Sequence, residues 1–208
     1  MNVIALTPRK LPRQARSRAL VDAILDAAAH ILATHGREAL NTNIVAEKAG
    51  VSIGSLYQYF PNREAIIAAV ADRHGHRIYH LVADLDLRAE ITLELAVARI
   101  ADSLFAAHRI NPALHAALDG DLPHSHGHDH SGTKDAMAEQ IRNLPRPLHN
   151  EIRRSDINIA ALTVAEIVHA MAHASIVHPH AGRTADEFER EAVKAAIAYL
   201  RSPDFADD

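Results

Sequence analysis

The stretch AGVSIGSLYQYFPNRE, Ala49 to Glu64, decides the fold. Gly50 supplies a stop for one short helix, and Ser52 carries the side chain to cap the next. Val51 and Leu56 stand at the N′ and N4 positions of a hydrophobic staple. Pro61 ends that second helix, because proline lacks an amide donor and restricts the residue before it. Upstream, Asn41 or Thr42 caps a helix from about Asn43 to Ala49. The spacing predicts two short helices joined by a glycine turn, a helix-turn-helix over about 41–60.

The second of these helices, Ser52 to Phe60, holds a glycine at Gly54, which costs about 1 kcal/mol against alanine and so needs a reason. On a helical wheel, Leu56 and Phe60 fall within about 40° of each other and define the core-facing side. Gly54 and Gln58 lie nearly opposite, Ser55 and Tyr57 on the flanks, and Tyr59 near the core edge. A solvated face normally carries Lys and Glu; an uncharged face of Gly, Ser, Gln and Tyr suits close contact with a surface. In a helix-turn-helix that surface is the DNA major groove. Gly54 would let the backbone approach the base edges, Gln58 can pair with adenine, and Ile53 can touch a thymine methyl. Ser52, Ser55, Tyr57, Tyr59 and Thr42 offer hydroxyls to phosphates, while Arg63, Arg13, Arg16 and Arg18 offer charge. The plainer alternative is a packing helix with surface tyrosines.

The remaining chain repeats at helix spacing throughout, with no alternating strand. Val21, Ile24, Leu25, Ala28, Ile31 and Leu32 form a stripe stopped by Gly36. Asn62 caps a helix running towards Arg88; others span about Ala89–Arg109, a turn opened by the NPA of Asn111–Ala113, Thr133–Asn143 and Leu148–Arg154. Two long apolar helices follow, Asp156–His178 and Thr184–Leu200, the latter opened by the capping box TADE. DGDLPHSHGHDHSG is a loop by composition. The expected fold class is all-α, with about nine or ten helices: an N-terminal three-helix unit containing the helix-turn-helix, and a larger C-terminal helical domain.

The 208 residues are 48% apolar, enough for one core and a smaller appended domain. No apolar run approaches the roughly 20 residues of a membrane span, and the N-terminus lacks the order of a secretory signal. With no cysteine, disulfides and thiolate metal ligands are ruled out, which fits a cytoplasmic protein with no membrane partner. The net charge of −4 hides an asymmetry. Residues 1–63 hold eight Lys/Arg against four Asp/Glu, and 64–208 hold fourteen against twenty-two. A basic head on an acidic body suits an end that meets a polyanion. HExxH and a phosphate loop are missing, and the GxSxG spelled by Gly50–Gly54 falls between two short helices rather than after a strand, so nothing points to an enzyme.

RSRALVDAILDAAAHILATHGREALNTNIVAEKAGVSIGSLYQYFPNREAI resembles the DNA-binding domain of the TetR/AcrR family of bacterial transcriptional repressors. ILDAA, the glycine after that helix, VAEKAGVS and GSLYQYFPNRE carry the likeness, over about residues 16–67 without gaps. Arg63 stands where the family usually has lysine; it keeps the charge and adds a fork that fits phosphate. The resemblance implies an arm over 1–15, a DNA-binding domain over 16–62 and an effector-binding and dimerisation domain over 63–208. It implies a homodimer reading a palindromic double-stranded operator, with half-sites about 34 Å apart or somewhat more. Thr42, Tyr57, Tyr59 and Arg63 would touch phosphates; Asn43, Ile53, Gly54, Ser55 and Gln58 would lie nearest the bases.

The family uses its last two helices as a four-helix dimer interface. Here these carry Ala160, Val164, Ile167, Val168, Met171 and Ser175, then Phe188, Ala192, Ala196 and Tyr199. An apolar effector pocket would be lined by Leu81, Leu85, Leu93, Leu95, Leu104, Phe105, His108 and Leu114. A small-molecule effector would act only by preferring one conformation. No cofactor is required. Two histidine groups admit a divalent metal: His124, His126, His128 and His130 in the loop, and Glu166, His169 and His173 on one helix face. The expected function is a ligand-responsive transcriptional regulator acting as a repressor. A metal-sensing regulator of the same type, and a helical metal-handling protein or hydrolase, are the alternatives.

Overall fold

The computed structural model describes residues 6–87, 92–118, 130–177 and 182–204. Among these residues there are ten α-helices and no strand, as the helical spacing leads one to expect. They are α1 Ala15–His35, α2 Thr42–Lys48, α3 Ile53–Tyr57, α4 Arg63–Ala83, α5 Leu93–Ile110, α6 Pro112–Leu118, α7 His130–Arg142, α8 Arg146–His149, α9 Ile157–Val177 and α10 Ala185–Arg201. The chain forms two compact units: residues 1–75 with 111–128, and 76–110 with 129–208. The division falls inside α4, so that one helix contributes to both.

In the first unit α1 packs against α2 and α6, and α2 against α3. Its core holds Ile24, Leu32, Leu40, Leu56, Phe60 and Ile66, each essentially inaccessible to water. Burial of such a side chain stabilises by about 1.5–3 kcal/mol, enough to fix two short helices that would not form alone. Local chemistry sets their ends. Asn41, rather than Thr42, caps α2, its Oδ1 accepting from the Ile44 amide at 3.0 Å. Ser52 caps α3 through the Ser55 amide at 3.0 Å, Asn62 holds the Ala65 amide at 2.7 Å, and Asn111 the Leu114 amide at 3.1 Å. Gly50 between α2 and α3 sits at φ 66°, which only glycine adopts without strain. The Phe60 amide still bonds back to Leu56, but α3 proper ends at Tyr57, three residues before the expected Phe60.

The second unit is built around α9, which packs against α5, α7 and α10. Ala160, Ala161, Val164, Ala165, Val168 and Ala172 face inward, and their small side chains let neighbouring helices approach closely. From α10, Ala192, Ala196 and Leu200 complete that contact. The expected capping box at Thr184 and Glu187 is present, the Thr184 amide donating to Glu187 at 2.7 Å. At the C-terminal end of α4, the Gln140 amide group donates to the carbonyls of Val82 (3.1 Å), Ala83 (2.9 Å) and Leu85 (3.3 Å). Those are the orphan acceptors of a helix end, satisfied here from α7.

One expectation needs correction. Ile157–Ile176 is long and apolar enough, by length and composition alone, to cross a membrane, with mean hydropathy 1.5. Hydropathy along the chain underrates it because Asn158, Glu166, His169 and His173 interrupt the apolar run. Its inward face belongs to the core just described, yet only 39% of the segment is buried.

Candidate nucleic-acid interface

The outward face of α3 matches the wheel. Ser52, Ile53, Gly54, Tyr57 and Gln58 are exposed, Ser55 is half-buried, and Leu56 is buried. Nothing inside the protein calls for a glycine at position 54. Its φ is not positive, and a Cβ built there would meet only Ser52 Oγ at 3.9 Å, an ordinary contact. Around it, Ser52 Oγ and Ser55 Oγ lie 2.8 Å apart, and the Tyr57 hydroxyl bonds to Thr42 Oγ1 at 3.0 Å. That bond ties α2 to α3 and fixes two hydroxyls side by side at the rim of the face. Asn43 and Ile44 on α2 are exposed as well. The result is an uncharged, hydrogen-bonding strip with a dent at Gly54.

Two residues of the expected set are placed differently. Tyr59 is 6% exposed and packs in the core, because the tightened turn after Leu56 swings it inward. Arg63 is half-buried, its Nε paired with Glu64 at 2.9 Å and its Nη1 donating to the Leu40 carbonyl at 3.4 Å. Arg13, just before α1, and Arg16 and Arg18, in its first turn, are exposed. Sequence reasoning passed over Arg9. Its amide donates to the Tyr59 carbonyl at 2.7 Å and its Nη1 to the Tyr57 carbonyl at 3.4 Å, tethering the arm to the end of α3. The clue in the sequence was the basic, proline-bounded PRKLP at 8–12.

The expected effector lining is dispersed. Leu81 and Leu95 are exposed at 44% and 52%, and Leu114 belongs to the core of the first unit. Leu93, Leu104, Phe105 and His108 are buried in the core of the second, with His108 Nδ1 donating to the Leu104 carbonyl at 2.8 Å. A cavity of about 640 Å³ lies elsewhere in that unit, among Tyr79, Ala83, Leu85, Leu87, Ala136 and the polar Asp135, Glu139, Gln140, Arg142 and Asn143. Of the expected residues only Leu85 lines it, and its lining is mixed rather than apolar.

The interface expectation divides in the same way. Val164, Val168, Ala192 and Ala196 are fully buried within the single chain, so they are core residues and not available to a partner. Ile167, Met171, Ser175, Phe188 and Tyr199 are half-buried. The outward face of α9 instead presents Ile159 at 57% and Leu162 at 40% exposure. On the metal side, His124, His126 and His128 lie outside the described residues, and His130 is placed only as the first residue of α7. Glu166 pairs with Lys134 at 2.8 Å while His169 stacks on His173. Among the described residues no three His, Asp or Glu side chains are arranged to hold a metal ion.

Residues 24–70 match the family model described as bacterial regulatory proteins, tetR family, and residues 92–200 match the tetracyclin repressor-like C-terminal domain. The HTH-type transcriptional repressor KstR of Mycolicibacterium smegmatis is 36% identical over 77 residues, 37% of each chain. The chain thus spans well under half the length of the curated relative it matches. A putative TetR-family regulator from Mesorhizobium loti superposes with a TM-score of 0.72 at 18% identity, covering 90% of this chain and 98% of that one. A TetR-family regulator from Streptomyces coelicolor gives 0.64 at 25% identity, over 89% and 97%. With its C-terminal match alone covering more than half of its length, the chain belongs to the TetR family of bacterial regulatory proteins.

Proposed function

We propose that this protein is a transcriptional repressor that binds a palindromic operator as a homodimer and is released by a small-molecule effector. One observation carries the DNA-reading part: a glycine with no internal justification at the centre of an exposed, uncharged helix face. Ile53, Gly54, Ser55 and Gln58 would face the base edges, with Asn43 beside them. Thr42 and Tyr57 would share a phosphate through their joined hydroxyls, Ser52 with Arg16 and Arg18 at the start of α1 would add further phosphate contacts, and Arg13 would bring charge from the arm. Arg63 would act there from its ion pair with Glu64.

The second copy is proposed to cover the outward face of α9, centred on Ile159 and Leu162, because a helix this apolar leaves too much of itself in water. The 640 Å³ cavity is of the size that holds a drug-sized ligand. Its mixed lining suits an effector with an apolar body and a polar end. Such a regulator works beside the chromosome, in the bacterial cytoplasm.

The test is genomic selection: purified protein is incubated with sheared DNA of its own organism, washed at two salt concentrations, and the retained DNA sequenced. A retained palindrome is the expected result. Retention of only salt-labile DNA of random sequence would overturn the reading.

A further inference from the structure

The segment between Pro8 and Arg13 takes no part in either core, yet both of its ends are fixed. At one end Arg9 is bonded through its amide to the Tyr59 carbonyl and through its guanidinium to the Tyr57 carbonyl. At the other, the Gln14 amide donates to Ser17 Oγ at 3.1 Å and the Gln14 carbonyl accepts from the Arg18 amide at 3.0 Å, locking it onto α1. Between these anchors Lys10, Leu11 and Arg13 are exposed, and Leu11 stands 76% in water, the most exposed of the chain's large apolar side chains given above. Pro8 and Pro12 bracket the segment, which bends at Arg9 and Lys10 and runs irregularly, without helix, from Leu11 to Arg13. Residues 6–21 contain no acidic side chain, so Arg9, Lys10, Arg13, Arg16 and Arg18 form a basic run uninterrupted by opposite charge.

Phosphate contact accounts for the cations but not for the leucine. A solvated tether accounts for neither the leucine nor the double anchoring. A single non-helical stretch of chain is narrow enough for a groove about 6 Å wide, where a helix about 10–12 Å across is not. Proteins that enter the minor groove combine Lys or Arg with an apolar wedge against sugars and base steps. We propose that Lys10, Leu11 and Arg13 form a minor-groove arm that reads the base pairs flanking each half-site, and that the Arg9 bonds to Tyr57 and Tyr59 hold it in register with α3. This rests on the reading of α3 as the major-groove helix. A groove lined by A·T pairs is the expected partner, since its narrowness concentrates negative potential on inserted cations and no guanine amino group obstructs the floor.

The test uses the full chain and duplexes carrying the palindrome recovered by genomic selection. Three flanking pairs on each side are set to A·T, G·C or I·C. An I·C pair shows the minor groove of A·T and the major groove of G·C, so it separates the two grooves. The expected result is that A·T and I·C flanks bind alike and at least about fivefold more tightly than G·C flanks. The double variant K10A/R13A should erase that preference and lower the salt slope by about two. Arg9→Pro removes the amide donor to Tyr59 and should erase the preference as well, whereas Arg9→Ala, which keeps that donor, should retain most of it. Leu11→Ser should weaken binding to A·T and I·C flanks with the salt slope unchanged. None of these side chains is in a core, so circular dichroism should show unchanged helicity. The inference is overturned if I·C behaves as G·C, if flanks make no difference, or if K10A/R13A keeps the preference. A palindrome bound no better than its scrambled centre would overturn the helix-turn-helix reading instead.

Discussion

Replacing Gly54 by alanine should make the protein more stable and its DNA binding worse. The structure sets both signs. Gly54 has ordinary helical φ, and the added methyl would find only Ser52 Oγ, at 3.9 Å. Glycine at such a position leaves the unfolded chain freer and the helix weaker, so alanine should gain about 0.4–1 kcal/mol. For a chain of this length that is about 1–4 °C in melting temperature. On DNA the same methyl occupies the dent in the exposed face, where the helix backbone is proposed to approach the base edges. Loss of that approach should weaken the operator at least about tenfold, which is about 1.4 kcal/mol. Gly54→Leu should abolish specific binding while leaving helicity intact. Thermal melting by circular dichroism gives the first number, and fluorescence anisotropy with operator and scrambled duplexes gives the second. An alanine variant that binds its operator as tightly as wild type would refute the account of the glycine. One that melts lower would refute the account of the helix.

Gln58→Ala should cost about 1–3 kcal/mol on the preferred operator and relax discrimination at a single base pair, measured against a panel of singly substituted duplexes. Leu162→Asp places a charge on the outward face of α9 and should convert a dimer to a monomer in analytical ultracentrifugation; a persistent dimer would place the interface elsewhere. Thr184→Ala removes the cap of α10 and should cost about 1 kcal/mol in chemical denaturation. Acid should act through the same box. The backbone hydrogen bond from Thr184, chiefly, holds the Glu187 carboxyl below its usual 4.5. Its contribution is therefore complete above that value and is lost as pH falls through the lowered one. The stability difference between wild type and Glu187→Gln should accordingly be present at neutral pH and vanish in acid.

Features set by neighbouring residues were legible in the sequence. The Ser52 cap, the Gly50 turn and the box at Thr184 each depend on a few adjacent residues, and each stands where spacing places it, whereas α3 ends at Tyr57, ahead of the stop expected at Pro61. The outward line of Gly54 and Gln58 was legible for the same reason, because Leu56 and Phe60 fix the rotation of the helix. What long-range packing decides was not legible. Val164 and Val168 share a helix with Ile159 and Leu162, and all four are apolar. Only the approach of α5, α7 and α10 determines which pair is buried. Tyr59 looked like an edge residue until the shortened α3 turned it into the core. The Arg9 tether was hidden more deeply, since its main bond comes from a backbone amide that every residue but proline carries.

The central claim is that α3 reads DNA sequence, and a specificity ratio tests it most directly. Anisotropy titrations should compare the recovered palindrome with a scrambled duplex of equal length, each at 50 and 200 mM salt. The expected result is a preference of about 10³ or more for the palindrome, persisting at the higher salt, with saturation at two chains or a multiple of two per duplex. Equal affinity for both duplexes, falling steeply and together as salt rises, would contradict it.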